Sequence, residues 1–172
     1  MAEEQVILVD AHDREVGTMG KLAAHERGGT RHRAFSVFIV DPRGRWLLQR
    51  RAEGKYHFPG LWTNACCSHP RPGEDTIGAA HRRLREELGF DCPLTERFQF
   101  EYQATSEAEG LTEHELDHVF TGVYGGEIHP NPDEVGKVRW VEPAGLEKEL
   151  KAHPETFTPW FKLALERVRD VL

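Results

Sequence analysis

The stretch from residue 62 to residue 70 places a thiol and an imidazole two residues apart, at Cys67 and His69. In an extended segment, residues i and i+2 project to the same side, so both groups are expected to face one site. By the same alternation Cys66 is expected to turn into the protein body. Prolines on both sides of the stretch favour a rigid connection over a helix.

Three imidazoles and two carboxylates could build a metal site beside that thiol. His25 and His32 flank a Gly-Gly connection, and Glu113 and Glu115 share one face of a predicted strand. With His69 they offer nitrogen and oxygen donors suited to an octahedral site for Mn²⁺, Mg²⁺ or Zn²⁺. Spacing alone does not assign them, because an isolated histidine or glutamate is usually a surface or hydrogen-bonded polar residue.

The other candidate residues also have purely structural explanations. Glu87 could pair with Arg83 at i, i+4 on an exposed helix face. Trp160 and Tyr102 could be packing aromatics, and Cys67 could be an inert buried thiol. Several basic side chains could simply form a solvated surface, namely Lys21, Arg50, Arg51, Lys55, Arg82 and Arg83.

Composition restricts the kind of protein. The 172 residues, 38% hydrophobic and 30% charged, suit one globular domain spanning residues 1–172. The net charge of −7 argues against nucleic-acid binding, so a phosphorylated ligand needs a local basic cluster or a metal. The three cysteines form a poor disulfide framework. With an acidic start and no membrane-spanning apolar run, the sequence predicts a cytoplasmic protein with no membrane partner.

Hydrophobic periodicity predicts the elements that must position these groups. The pattern indicates a short helix over 21–25 and a last helix from Pro159, with Phe161, Leu165, Val168 and Leu172 as its buried stripe. The run over 46–51 is expected to form a hairpin with the apolar run over 34–40. Interleaved strands and few helices favour an α/β (α+β) sandwich around one mixed sheet. Strands are predicted at 6–10, 16–18, 34–40, 46–51, 98–102, 111–124 and 137–141.

A helix is strongly indicated from Thr76, which can cap it, to Gly89, which stops it. Glu87 is expected to lie on a different face from the apolar stripe of this helix. That stripe consists of Ile77, Ala80, Leu84 and Leu88.

This helix and the loop before it resemble a degenerate Nudix box. In Nudix hydrolases the first position is Gly, and an Arg-Glu pair stands where Arg82-Arg83 stands here. These departures argue against hydrolysis of a diphosphate, but they are compatible with binding of a diphosphate through a metal ion. The matching pattern is Ser68-x5-Glu74-x7-Arg82-Arg83-Leu84-Arg85-Glu86-Glu87-Leu88-Gly89-Phe90.

A closer resemblance covers nearly the whole chain. Five motifs, in order and spacing, resemble type I isopentenyl-diphosphate Δ-isomerase, and the run ending at Pro70 is highly specific. The resemblance implies a Nudix-like mixed sheet flanked by helices and an isomerase of isoprenoid biosynthesis. The motifs are Lys21-x3-His25-x6-His32, Arg51-x3-Lys55, Pro59-Gly60-x-Trp62-Thr63-Asn64-x-x-Cys67-x-His69-Pro70, Glu113-x-Glu115 and Pro159-Trp160.

The same resemblance implies a role for each matching residue. The first metal, Mn²⁺ or Zn²⁺, would be held by His25, His32, His69, Glu113 and Glu115. A second ion, Mg²⁺ on the substrate diphosphate, would be held by Glu87 and Cys67. The diphosphate would bind Lys21, Arg51, Lys55 and Arg83. The catalytic groups would be Cys67, Glu115, Tyr102 and Trp160.

The chemistry of such an isomerase explains these residue types. An unactivated alkene needs a strong acid to protonate C4, and a base on the opposite face must remove a proton from C2. The tertiary carbocation between these steps requires a dry pocket, and the indole of Trp160 could stabilise it. Glu115, with Tyr102, is expected to deliver the proton and Cys67 to remove the other, and the reverse assignment of the two groups stays open.

Two other classes of function are compatible with the residues. One is a Nudix hydrolase of a nucleoside diphosphate derivative, which would not need Cys67. The other is a metal-stabilised binding module without catalysis, in which Cys67 would only pack. For the isomerase the expected partner is a small-molecule diphosphate, and the chain is expected to be a monomer.

Overall fold

A computed structural model describes residues 3–172, and the two residues before them lie outside this description. None of the helices within residues 3–172 is long and apolar enough to cross a membrane. A 3₁₀ turn at Pro154–Thr156 joins the last two helices. In chain order the elements are β1 (Gln5–Val9), β2 (Glu15–Gly20), α1 (Lys21–His25), β3 (His32–Val40), β4 (Trp46–Arg51), β5 (Trp62–Thr63), β6 (Cys66–Ser68), α2 (Thr76–Leu88), β7 (Thr95–Ser106), β8 (Leu111–Val123), β9 (Val135–Val141), α3 (Pro143–Ala152) and α4 (Pro159–Val171).

The strand β3 lies in the middle of a mixed sheet. It pairs in parallel with β8, in a register that runs from His32 opposite Glu115 to Val40 opposite Val123. Along β3 it also pairs antiparallel with β6, where Cys67 lies opposite Ser36. The long antiparallel pair of β7 and β8 extends the sheet further. The predicted mixed sheet flanked by helices is therefore confirmed.

The predicted hairpin between β3 and β4 is wrong in its pairing. The two strands share a single pair, Val40 with Trp46. Instead β4 pairs antiparallel with β9 along its length and with the short strand β5. The reason is that β6 and β8 already occupy the hydrogen-bonding edges of β3, so β4 meets β3 only where the turn joins them.

Alternation along β3 divides the core into two layers. Phe35, Val37 and Ile39 face a cluster that contains the buried residues of α2. Phe38 faces the opposite cluster, to which α3 and α4 contribute Leu146, Phe161, Leu165 and Val168. Because both faces of β3 are buried, the strand reads as an almost continuous apolar run.

The helix α2 begins and faces the core differently from the prediction. Asp75, not Thr76, caps it, because the Asp75 carboxylate accepts a hydrogen bond of 3.0 Å from the Gly78 amide. Ile77 is 39% exposed, whereas Glu87 is only 2% exposed. The inward side of α2 is therefore rotated relative to the predicted stripe, and its buried members are Ala79, Ala80, Leu84, Glu87 and Leu88.

The helix α4 follows its predicted stripe for most of its length. Phe161, Leu165 and Val168 are buried, but Leu172 lies beyond the last helical residue and is 50% exposed. Trp160, in the first turn, is buried as well.

Gly89, which ends α2, and Gly73, which lies before α2, are expected to differ in the stability that an alanine costs at each position. Gly89 has φ +70°, and a Cβ there would lie 2.8 Å from the Cβ and 2.9 Å from the carbonyl oxygen of His129. Gly73 has φ +81° and no atom within 4 Å of its would-be Cβ. We expect Gly73→Ala to cost about 1–2 kcal/mol, the price of a left-handed backbone alone, and Gly89→Ala to cost about 1–3 kcal/mol more. Urea unfolding measures both, and equal losses would contradict the clash with His129.

Candidate active site

A polar cavity of about 250 Å³ lies where β3, β6 and β8 meet, beneath the loop of residues 52–61. This segment is called the 52–61 loop below. Most of the side chains singled out in the sequence line this cavity. They are Lys21, Arg51, Lys55, Cys67, His69, Arg83, Tyr102, Glu113, Glu115 and Trp160.

Four buried side chains from different elements converge beside the cavity. His25 ends α1, His32 begins β3, His69 follows β6, and Glu115 lies on β8. One donor atom from each lies within 4.8 Å of the donor atoms of the others, a spacing that one ion could bridge. The parallel register of β3 and β8 sets His32 opposite Glu115 and so brings two of the four together.

Hydrogen bonds prepare two of these imidazoles to bind a cation. Nδ1–H of His25 donates to the Lys21 carbonyl at 2.6 Å, and Nδ1–H of His32 donates to the Thr30 carbonyl at 2.7 Å. Their Nε2 atoms are buried and have no hydrogen-bond partner among the described residues. Since buried polar atoms normally have a partner, two free lone pairs fit a metal ion.

The ionisation of the cluster also suits a metal. Burial lowers the pKa of His25, although Glu115 opposes the shift. Burial and the neighbouring His32 lower the pKa of His69 well below its usual value. Neutral imidazoles are the form that binds metals.

Glu113 lies apart from the four converging residues. Its donor atom groups with those of His25 and His57. Tyr102 connects the two groups, because its hydroxyl contacts Glu113 at 2.9 Å and Glu115 at 2.7 Å. The predicted set of five ligands is thus divided, with His25 belonging to both parts.

A basic cluster also lines the cavity, although the chain as a whole is negatively charged. Lys21, Arg51, Lys55 and Arg83 all line it. Lys55 donates to Glu134, and the Arg83 guanidinium lies 3.2 Å from the same carboxylate. The four residues that the sequence suggested for diphosphate binding are therefore brought together.

The two adjacent cysteines face opposite sides of β6. Cys67 lines the cavity, where the Arg51 guanidinium lies 3.9 Å from its Sγ. Cys66 is buried in the core and donates to the Glu87 carboxylate at 2.6 Å. Burial raises the pKa of Cys67 to about 12, and burial together with Glu87 raises the pKa of Cys66 well above its usual value. Both thiols therefore hold their protons at neutral pH.

The chain is similar to known proteins over nearly its whole length. The NUDIX domain profile matches residues 30–161. Over 166 residues the chain is 52% identical to isopentenyl-diphosphate Delta-isomerase 2 of Aromatoleum aromaticum, covering 96% of this chain and 87% of that protein. Over 159 residues it is 47% identical to isopentenyl-diphosphate Delta-isomerase of Serratia proteamaculans, covering 92% and 88%. This chain belongs to the isopentenyl-diphosphate Delta-isomerase family.

Solved structures share the fold of this isomerase. DR0079 from Deinococcus radiodurans superposes with a TM-score of 0.70 at 21% identity, over 87% of this chain and 90% of that one. A MutT protein from Methanosarcina mazei Go1 superposes with a TM-score of 0.65 at 22% identity, over 80% and 91%. At these identities the likeness extends to the fold alone.

Glu87 does not join the side chains that line the cavity of the isomerase. One carboxylate oxygen accepts from Cys66 at 2.6 Å, and the other lies 3.5 Å from the Arg83 guanidinium. The sequence placed this residue off the buried face of α2, whereas the structure turns it inward. Its role as a ligand of Mg²⁺ stays a prediction.

Sequence reasoning did not single out several other residues of the cavity. Asp117 continues the alternation of Glu113 and Glu115 along β8 and accepts a hydrogen bond of 2.7 Å from Ser36. The alternation itself predicts that Asp117 shares a face with the two glutamates, although no motif gave it a role. His57 and Glu134 lie in loops, where no periodicity indicates the direction of a side chain, and only the tertiary structure reveals them.

The hydrogen bond from Cys66 to Glu87 generates a prediction about stability. Cys66→Ala leaves a buried carboxylate oxygen without its donor, so we expect a loss of about 1–3 kcal/mol. Cys66→Ser retains a donor and should lose less. Cys92→Ala is a control, because it removes a largely buried thiol with no side-chain hydrogen bond among the described residues. The three variants are compared by urea unfolding, and equal losses for the two Cys66 variants would contradict a role for this bond.

Proposed function

We propose that this isomerase converts isopentenyl diphosphate into dimethylallyl diphosphate by adding a proton at C4 and removing one at C2. The observation that carries the proposal is one cavity shared by the Cys67 thiol, the Tyr102–Glu115 pair, the Trp160 indole and a basic cluster. The names of the relatives support it. A hydrolase would have no use for a buried thiol opposite a carboxylate.

Strand order supports attack from opposite faces of the substrate. Cys67 lies on β6, which pairs with β3 on one side, and Glu115 lies on β8, which pairs with β3 on the other. The two side chains therefore enter the cavity from opposite edges of β3. A planar alkene lying between them would present one face to each.

The basic cluster would hold the diphosphate. Lys21, Arg51, Lys55 and Arg83 supply charge-assisted donors for its oxygens. Glu134 already pairs with two of these side chains, so the diphosphate has to compete with that carboxylate. Coordination of Mg²⁺ by Glu87 would require its carboxylate to leave Cys66 and turn toward the cavity.

The nitrogen-rich cluster suits Mn²⁺ or Zn²⁺ better than Mg²⁺. The ion would be held by His25, His32, His69 and Glu115, whose donor atoms converge, and Glu113, which groups with His25 and His57 beside them, would be the fifth ligand. The unpartnered Nε2 atoms of His25 and His32 fit this role. Such an ion would fix the orientation of the Glu115 carboxylate and set its acidity.

The pKa shifts assign the protons as the side chains stand. Burial alone would raise the pKa of Glu115, but the imidazoles of His32 and His25 and the hydrogen bond from Tyr102 lower it overall. Glu115 is thus ionised, while Cys67, with its pKa of about 12, keeps its proton. These are the states that remain after Glu115 has delivered a proton and Cys67 has taken one. For the proton balance of the proposed reaction to close, a proton has to return to the Tyr102–Glu115 pair before the next turnover.

Aromatic side chains would protect and stabilise the cationic intermediate. Trp160, Phe58 and Tyr102 form one buried cluster at the cavity wall. The Arg51 guanidinium lies over the Trp160 ring, with its carbon 5.5 Å from the ring centroid, so the face of the indole is directed toward a positive charge. A tertiary carbocation would be attracted to the same indole face, and the surrounding aromatics would exclude water.

The deciding experiment follows isopentenyl diphosphate by NMR in deuterated water. An isomerase yields dimethylallyl diphosphate carrying deuterium in the methyl group derived from C4. Release of phosphate or of a monophosphate instead would indicate a hydrolase. An unchanged substrate would indicate a binding module.

Substitution of the cavity thiol tests its role in proton transfer. We expect Cys67→Ser to lower kcat by about 10²–10⁴-fold, because a serine hydroxyl is a much poorer base than a thiolate. Cys92→Ser, outside the cavity, is the matched control and should retain normal turnover. Retention of more than roughly a tenth of the activity by Cys67→Ser would assign the proton transfer to another group.

Removal of metal tests the histidine cluster. We expect exhaustive chelation to abolish turnover and to lower Tm by about 5–10 °C relative to protein at 100 times the metal Kd, since binding contributes about 2.7 kcal/mol there. Differential scanning calorimetry measures the shift. His153→Gln, an exposed histidine outside the cluster, should respond to chelation as the wild type does. Unchanged activity and Tm after chelation would disprove the site.

A further inference from the structure

His57 lies against the carboxylate cluster although no motif of the sequence pointed to it. Its Nε2 contacts one oxygen of Glu113. Its ring stacks on His25, with centroids 4.9 Å apart and planes inclined by 26°. The side chain is only 5% exposed, and its Nδ1 has no partner among the described residues. Glu113 is therefore the partner that sets the orientation of the ring.

The backbone at His57 is held from both sides. The Arg51 guanidinium donates to the His57 carbonyl at 3.2 Å. The next residue, Phe58, has φ +48° and packs edge-on against Trp160 with ring centroids 5.6 Å apart. A bulky residue adopts positive φ only where surrounding contacts hold it. The 52–61 loop thus presents His57 to Glu113 in a defined direction.

The grouping of donor atoms shows how His57 could serve a metal. His57 and Glu113 group with His25, but not with the three other converging residues. Because His25 donates its Nδ1–H to the Lys21 carbonyl, it has one free nitrogen and can serve one ion only. If one ion is bound by the four-residue group, His57 therefore contacts the Glu113 carboxylate and not the ion. Carboxylates that bind metals are usually held by such hydrogen-bonded partners.

We propose that His57 is a positioning residue of the metal centre. Its Nε2–H holds one oxygen of Glu113 while Tyr102 holds the other, so that the carboxylate is oriented toward the ion. Through His57 the 52–61 loop, which carries the cationic Lys55, is tied to the metal. The inference rests on the metal site of the proposed function.

Three substitutions separate positioning from ligation and from packing. His57→Phe retains a ring that can stack on His25 but has no donor. His57→Gln retains an amide N–H near the position of Nε2. His57→Asn retains an amide near the position of Nδ1, too short to reach Glu113, and replaces the phenylalanine variant as the test if that variant does not fold. The melting temperature of each variant without metal establishes that it is folded.

Zn²⁺ affinity, measured by competition with a chromophoric chelator without substrate, is the readout. We expect His57→Phe and His57→Asn to bind Zn²⁺ about 10–100-fold more weakly than the wild type, and His57→Gln to bind within a few-fold of it. Weak binding by all three would make His57 a ligand, and normal binding by all three would remove it from the site. Either result overturns the proposal.

A control separates this inference from the metal site itself. His32→Phe removes a residue of the four-residue group and should abolish tight Zn²⁺ binding. If the wild type bound no Zn²⁺, or if His32→Phe bound it normally, the metal site would be wrong and the role of His57 would fall with it. If those two behave as expected, the contrast between the glutamine variant and the phenylalanine and asparagine variants decides the role of His57.

Discussion

The parallel pairing of β3 with β8 is the constraint on which the rest of the site depends. Its register sets His32 opposite Glu115 and continues through an apolar stretch that is buried on both faces. A slip of one residue in β8 would turn its carboxylates away from the cavity. The packing energy of the core therefore holds the polar end of the sheet in place.

That polar end would be costly to bury if its groups did not satisfy one another. Imidazoles, carboxylates and the Tyr102 phenol lie within hydrogen-bonding distance there, and desolvation is the largest influence on several of their pKa values. Four imidazole nitrogens still have no partner among the described residues, namely Nε2 of His25 and His32 and Nδ1 of His57 and His69. The stability of the core supports this arrangement, and a divalent cation would complete it.

The net charge of the whole chain is negative, whereas the basic cluster in the cavity is positive. The chain as a whole carries −7, yet four cationic side chains line one cavity, partly neutralised by Glu134. Anion binding in this cavity would depend on local geometry and not on the net charge. The 52–61 loop carries both Lys55 of this cluster and His57, which contacts Glu113, so one loop joins the basic and the histidine–carboxylate parts of the cavity.

The amino-acid sequence alone predicts the strands and helices whose hydrophobic residues recur with a clear period. It also predicts the mixed sheet and the side chains that share one face of a strand. Cys67 with His69, and Glu113 with Glu115, follow from the two-residue repeat of extended chains, and motif spacing identified the family. Tertiary structure alone decided which edges of β3 were available, which turned β4 toward β9. It also rotated α2 so that Glu87 points inward to Cys66, and it brought His57 and Glu134 into the cavity. The physical reason is that periodicity describes residues along one element, whereas strand competition, helix rotation and loop direction depend on contacts between distant parts of the chain.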